Sequence, residues 1–109
     1  MGFRVYATVL DQNNSGSQLL SNNNNIHVLQ MDVTNQSQID QTFDFVSNDL
    51  QNSGYQLWAI VNNAGVISSG HIEWGTFDEW EKVFDINLFG GIRVTRKFIP
   101  LIRRSKGIL

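Results

Sequence analysis

Apolar residues along this chain fall into short runs that are separated by polar loops. Residues 4–10 and 26–31 are rich in β-branched and aromatic side chains and are followed by polar segments, which predicts two strands. Residues 58–61 are all apolar, a pattern typical of a parallel strand buried on both faces. A weaker pattern predicts a short helix over residues 17–20, and the amide run at residues 22–25 is interpreted as a surface loop.

Helical spacing follows the second and third of these strands. Thr34 is expected to cap a first long helix, and Gly54 is expected to end it. Thr76 and Glu79 form a capping-box pattern that opens a second helical region, which continues to Arg104. The apolar positions of the first long helix are Ile39, Phe43, Val46 and Leu50.

Strands and helices alternate along the chain, which predicts an α/β fold with a parallel sheet and right-handed crossovers. With 109 residues, of which 41% are hydrophobic and 17% charged, the composition is that of one globular domain. The net charge of -2 gives no electrostatic basis for binding nucleic acid. Cysteine is absent, and His27 and His71 lack metal-ligand spacing, so neither a disulfide nor a metal site is predicted.

Asn62, Asn63, Ala64 and Gly65 directly follow the third predicted strand. In open α/β sheets, ligands bind just beyond the carboxyl ends of such strands. The two amides can tie a turn to neighbouring backbone, while Ala64 and Gly65 leave room for a planar group to approach the main chain. The alternative is an ordinary Asn/Gly turn without a ligand.

Four motifs in one order carry more information than any of them alone. They are residues 5–8, 29–34, 62–65 and 85–90, and together they resemble the short-chain dehydrogenase/reductase superfamily. Residues 57–61 and 98–107 are most similar to the group of retinol dehydrogenases, hydroxysteroid dehydrogenases and 3-hydroxybutyrate dehydrogenase. The resemblance implies a Rossmann-like doubly wound parallel sheet, with residues 1–109 as part of the dinucleotide-binding domain.

By this resemblance, Asp32 and Val33 would hold the adenine of a nicotinamide dinucleotide, through the carboxylate and a backbone amide respectively. Asn63, Ala64 and Gly65 would lie along the ribose side of the cofactor. The alternative for Asp32 is a plain helix cap, and the alternative for Asn87 is an exposed helical position without a role.

Asn87 would be the family's catalytic asparagine, which distorts its helix and organises a water in the proton relay. Asn62 would brace the turn that precedes the ribose-side residues. The selectivity between NAD and NADP is expected to depend on residues just past 4–10, where the Asp11 carboxylate could accept hydrogen bonds from ribose hydroxyls. Because no basic residue occurs from Tyr6 to Ile26, NAD is favoured over NADP.

The resemblance also implies that the chain is an internal fragment and is inactive alone. The family's glycine-rich loop would precede Gly2, and its serine and Tyr-x-x-x-Lys motif would follow Ile108. The strand expected between residues 4–10 and 58–61 would also be missing, so both segments should have unpaired edges. The isolated chain should then be aggregation-prone, partly folded or rearranged, with these edges as the points of association.

The implied substrate of the parent protein is an alcohol or ketone on a retinoid, steroid or related small molecule. The steroid and retinoid branch implies an endoplasmic reticulum parent with a membrane anchor outside this chain, and the hydroxybutyrate branch implies a mitochondrial one. A homo-oligomer could form through the Phe77 to Arg104 region, with Phe89, Ile92 and Phe98 in contact. A noncatalytic module that docks on a homologous dehydrogenase is the alternative, and a flavodoxin-like receiver fits poorly because its acidic cluster is lacking.

Overall fold

The computed structural model describes residues 2–68 and 70–109 and has an α/β architecture. Two parallel strands pair in register, from Val5 opposite Ile26 to Val9 opposite Gln30, as the sequence predicts. A parallel pair needs a crossover connection, which the first helix supplies. The elements are β1 (Val5–Val9), α1 (Ser15–Ser21), β2 (Ile26–Gln30), α2 (Gln36–Ser53), α3 (Phe77–Phe84), a π-helical turn (Asp85–Gly90) and α4 (Gly91–Ser105).

The N-terminal cap of α2 is Asn35, whose side chain accepts from the Gln38 amide at 3.2 Å. The expectation that Thr34 caps this helix is wrong, because the Thr34 hydroxyl donates to Asp32 instead. Gly54 ends the helix in the left-handed conformation, with φ of 74°, as predicted.

The capping box at the start of α3 is confirmed. The Thr76 backbone amide donates to Oε2 of Glu79 at 3.0 Å, and the Glu79 amide donates to Oγ1 of Thr76 at 3.2 Å. Two helix-end donors are thereby satisfied by local side chains. The helix then widens into the π turn and resumes as α4, so the helical region predicted from Thr76 to Arg104 is continuous but distorted in its middle.

Residues 58–61 are extended but do not form the regular, doubly buried strand that was predicted. Ala59 makes one isolated parallel bridge to Ile108, with the Ile60 amide donating to Ile108 at 3.1 Å. Trp58 is 53% exposed and Val61 is 84% exposed. The apolar run indicated burial, but within the described residues the segment has no strand paired on its other side to provide it.

The hydrophobic core lies between α2, α4 and the sheet. Ile39 and Val46 of the predicted apolar face are fully buried. Phe98 is 6% exposed and packs edge to face on Phe43, with ring centroids 5.4 Å apart. The expectation that Phe98 contributes to a contact between subunits is therefore wrong, because its ring is already part of the core.

The beginning of β1 is bonded to α2 by three side chains, Arg4, Tyr6 and Asp49. Arg4 Nη1 lies 2.6 Å from Oδ2 of Asp49, and the Tyr6 hydroxyl donates to the same oxygen at 2.5 Å. Burial and then the bond to Asp49 raise the pKa of Tyr6 to about 12. The start of β1 is thus fixed, and its other end lies beside the end of β2.

Gly90 allows the π turn to approach the residue that follows β2. A Cβ placed on Gly90 would lie 2.5 Å from Cγ2 and 2.9 Å from Cβ of Val33. A Cβ placed on the next residue, Gly91, would be 3.9 Å from the nearest atom of Asn62, an ordinary contact.

Gly90→Ala should therefore lower the free energy of unfolding by about 1–3 kcal/mol, since the new methyl group overlaps Val33. Gly91→Ala is the matched control, and it should be neutral or stabilising by up to about 1 kcal/mol because alanine favours the helix. Urea denaturation followed by circular dichroism measures both. Equal stability of the two variants would contradict the steric explanation.

Candidate functional site

Two separate segments attach to the same helical stretch. The Val33 side chain, which follows β2, packs against the π turn. Beyond residues 58–61, Nδ2 of Asn62 donates to Oγ1 of Thr95 on α4 at 3.1 Å, and Val66 is bound by Asn87 of the π turn. The turn after β2 and the stretch after residue 61 are therefore held at defined positions relative to each other.

Asp32 is organised by the residues that follow it. Its Oδ1 accepts from the backbone amide of Thr34 at 2.9 Å and from the Thr34 hydroxyl at 2.7 Å, while its own amide donates to Gln38 at 2.7 Å. The Thr34 amide, followed by the hydroxyl, lowers the pKa of Asp32, so the carboxylate is ionised at neutral pH. Asp32 is not the helix cap of the alternative interpretation, since Asn35 has that role. Its Oδ2 remains as a candidate acceptor for a ligand amine.

The side-chain amide of Asn87 makes two hydrogen bonds to the backbone of Val66, in the segment that follows residue 61. Oδ1 accepts from the Val66 amide at 2.8 Å, and Nδ2 donates to the Val66 carbonyl at 2.8 Å. Gly65 lies close by, and a Cβ there would be 3.4 Å from Oδ1 of Asn87. Asn87 lies within the π turn, so the helix is distorted at this residue.

Asn63, Ala64 and Gly65 are exposed, so their backbone is accessible beside the Asn87 clamp. The side-chain amide of Asn62 is bonded across to Thr95 on α4, which anchors the start of this segment to that helix. Asp11 is also exposed, and its Oδ1 accepts from the Asn13 amide at 2.9 Å. The register of β1 and β2 brings Asp11 and Asp32 to the same end of the sheet, although no direct contact between them is described.

An open groove of about 350 Å³ lies beside Asp32. Its lining contains three carboxylates and one ammonium group, with the Asp85 carboxylate also paired to Arg93, so a modest excess of negative charge favours a neutral ring with an amine over an anionic group. The groove is lined by Asp32, Thr34, Glu81, Lys82, Asp85 and Ile86.

Sequence reasoning missed Arg93, which contacts both Val33 and Asp85. A salt bridge within a regular helix joins residues three or four positions apart, whereas Asp85 and Arg93 are eight apart. The π turn absorbs an additional residue and brings the eighth position round to the Asp85 side. The signal that could have revealed Arg93 is an acidic and a basic residue eight positions apart on either side of a suspected helix distortion.

The comparisons with known proteins agree with the fold. A sequence profile described as short chain dehydrogenase matches residues 1–109, and the chain belongs to this family. It is 41% identical over 114 residues to estradiol 17-beta-dehydrogenase 2 of Rattus norvegicus, covering 100% of this chain and 29% of that protein. It is 33% identical over 110 residues to the mitochondrial D-beta-hydroxybutyrate dehydrogenase of Bos taurus, covering 97% of this chain and 32% of the relative. The chain thus spans about a third of the length of these relatives, and family membership rules out the flavodoxin-like receiver.

Solved structures show the same fold at lower identity. NADPH-bound carbonyl reductase from chicken fatty liver superposes with a TM-score of 0.80 at 24% identity, covering 94% of this chain and 41% of that one. Serine dehydrogenase from Escherichia coli gives a TM-score of 0.81 at 24% identity, covering 98% and 49% respectively. Both neighbours therefore support an incomplete Rossmann-like sheet in these 109 residues.

The family implies a nicotinamide dinucleotide, and the residues present fit its adenine end. The ionised Asp32 carboxylate uses Oδ1 for Thr34, and the acidic groove beside it can accept a neutral ring with an exocyclic amine. Across residues 2–68 and 70–109, no helix is both long and apolar enough to cross a membrane.

Asn87→Ala should accelerate hydrogen exchange at the Val66 amide by about tenfold or more, since the amide loses its acceptor. Asn87→Asp should retain most of that protection, because an acceptor remains, but should destabilise the protein by repelling the Val66 carbonyl. Leu88→Ala, at the neighbouring exposed position, is the control. The interpretation fails if Asn87→Ala leaves exchange at Val66 unchanged.

Proposed function

We propose that these residues form the adenine and ribose side of the cofactor site in an NAD-dependent oxidoreductase. The observation that carries the proposal is the attachment of two segments, Asp32–Val33 and residues 62–66, to the single helical stretch that contains Asn87. A dinucleotide is a long ligand that needs protein contacts at several places along its length. This arrangement holds two contact segments at a fixed separation.

In the proposal, Oδ2 of Asp32 accepts from the exocyclic amine of adenine, and the Val33 amide donates to a ring nitrogen. The exposed backbone of Asn63, Ala64 and Gly65 lines the ribose side. Asn87 organises a water for proton transfer, and its side-chain oxygen keeps a second lone pair after accepting from Val66.

The nicotinamide cofactor supplies the hydride chemistry, by exchanging hydride between its C4 and the carbon of an alcohol or ketone. Within these 109 residues, neither Tyr6 nor Tyr55 is followed four positions later by lysine. Tyr6 is also bonded to Asp49, and its pKa is raised to about 12, which makes it a poor proton donor near neutral pH. We therefore propose that these residues bind cofactor but do not turn over substrate by themselves.

The relatives guide the proposed substrate class. The names of the two relatives include estradiol 17-beta-dehydrogenase and D-beta-hydroxybutyrate dehydrogenase, so a hydroxysteroid or a short hydroxy acid is proposed for the whole protein. A retinoid is proposed only on the resemblance of residues 57–61 and 98–107 to the group that includes retinol dehydrogenases. The steroid and retinoid branch corresponds to an endoplasmic reticulum protein anchored outside these residues. The hydroxy acid branch corresponds to a mitochondrial one.

A second proposal concerns association with another dehydrogenase subunit, either a second copy or a homologue on which this chain docks without catalysis. The observation that favours it is the set of apolar side chains left exposed along one helical stretch. Burying such side chains is a common basis of subunit contact. The exposed residues are Phe77, Phe84, Leu88, Phe89 and Ile92.

Binding of AMP, measured by calorimetry, tests the adenine assignment. Asp32→Asn should weaken AMP binding by about tenfold. The asparagine oxygen still accepts from Thr34, but its NH₂ group then faces the adenine amine, and two donors cannot form a hydrogen bond. Asp44→Asn changes an exposed acid on α2 and should have no effect. If wild-type protein binds neither AMP nor NADH, the proposed function is refuted.

Asp11→Arg should shift cofactor preference from NAD towards NADP, since a carboxylate that accepts from ribose hydroxyls is replaced by a cation that pairs with a phosphate. The ratio of the two dissociation constants should change by about tenfold or more. Asp44→Arg makes the same charge change elsewhere on the surface and should leave the ratio nearly constant. Equal ratios in the two variants would remove Asp11 from the site.

A further inference from the structure

Arg93 joins the two parts of the candidate site through its guanidinium group. Nη1 donates to the backbone carbonyl of Val33 at 3.2 Å and to that of Asp85 at 3.3 Å, while Nη2 donates to Oδ1 of Asp85. Val33 follows β2 and Asp85 begins the π turn, so one side chain from α4 bridges both. The Arg93 side chain is 29% exposed, which reduces the screening of these contacts by water.

Val33 is therefore restrained at two places. Its side chain packs against Gly90 with no space for an additional Cβ, and its carbonyl is bound by Arg93. Together these contacts limit the backbone dihedral angles of Val33 and hence the direction of its amide.

We propose that Arg93 is a positioning residue, which orients the Val33 backbone towards adenine and holds the π turn that carries Asn87. This inference rests on the proposed function of Asp32 and Val33 as the adenine-binding pair. Arg93 touches neither the cofactor nor the substrate in this proposal, and it acts through Val33 and Asp85.

The shape of the guanidinium group, rather than its charge, carries the role. A planar fork with several fixed donors can reach acceptors on two segments at once, whereas a lysine ammonium is a compact point charge on a flexible stem. The charge has a smaller effect of its own, because Thr34 dominates the lowering of the Asp32 pKa and Arg93 adds to it. Arg93→Lys separates these contributions, since it keeps the charge and loses the fork.

Discrimination between AMP and IMP is the decisive measurement. The two nucleotides share ribose and phosphate, but IMP reverses the donor and acceptor at the ring positions that Asp32 and Val33 would read. Wild-type protein should prefer AMP by about tenfold or more, and Arg93→Met and Arg93→Lys should both reduce this ratio towards one. Arg96→Met, an exposed position on the same helix, should leave the ratio unchanged.

Calorimetric titration of the protein with AMP and IMP gives the ratio for each variant. If Arg93 had only a structural role, its substitution would weaken the binding of AMP and IMP equally and leave their ratio at the wild-type value. That result would overturn the proposal. Retention of the wild-type ratio by Arg93→Lys would overturn it as well, by showing that charge alone is sufficient. Arg93→Lys keeps the charge and much of the aliphatic stem, so it provides the test of the ratio even if Arg93→Met fails to fold.

Hydrogen exchange in the unliganded protein separates this inference from the proposed function. Arg93→Met should accelerate exchange at the Val66 amide by about tenfold, since the π turn that presents Asn87 is released. If wild-type protein does not distinguish AMP from IMP, the adenine assignment fails, and with it the orienting role of Arg93. Unchanged exchange at Val66 in Arg93→Met and Arg93→Lys would overturn the bridging role independently.

Discussion

The close approach of the π turn to Val33 is the constraint on which the rest of the site depends. Gly90 makes the approach possible, because any side chain there would overlap Val33. Asn87, in the same turn, holds the backbone of Val66 on the other segment. The six residues of the turn therefore set the distance between the two stretches that are proposed to grip a cofactor. A π turn is a rare distortion of a helix, and its presence at this junction is typical of a functional site.

Local chemistry explains which parts of the fold could be predicted from the sequence. The capping box of Thr76 and Glu79 and the left-handed end at Gly54 depend on residues close in the chain, and both were predicted correctly. Thr34 was assigned wrongly because Asn35 offers the same capping chemistry one position later. Burial of residues 58–61 also could not be read from their composition, since burial depends on which elements lie alongside them in space.

In the candidate site, too, the sequence identified some residues but could not identify the contacts that they make. Asp32 and Asn87 were singled out through a family resemblance, which supplies residue types and spacing. Their hydrogen-bond partners, Thr34 and Val66, follow only from the three-dimensional arrangement. Arg93 escaped notice because its contacts cross a widened turn and reach a residue 60 positions away, where neither helical spacing nor local pairing rules apply.

The helical layer, more than the sheet, determines where residues 57–66 lie. This segment has a single bridge, and its side chains are largely exposed apart from Leu57 and Ile60, which pack against the core, so sheet pairing contributes little to its position. Ser105 at the end of α4 donates to the carbonyl of Leu57, Thr95 in its middle accepts from Asn62, and the Asn87 clamp lies just before its start. Three attachments along one continuous helical stretch are enough to orient an extended segment. Because α4 also packs its buried face on α2, the rigidity of the core is transmitted directly to the proposed cofactor side of the chain.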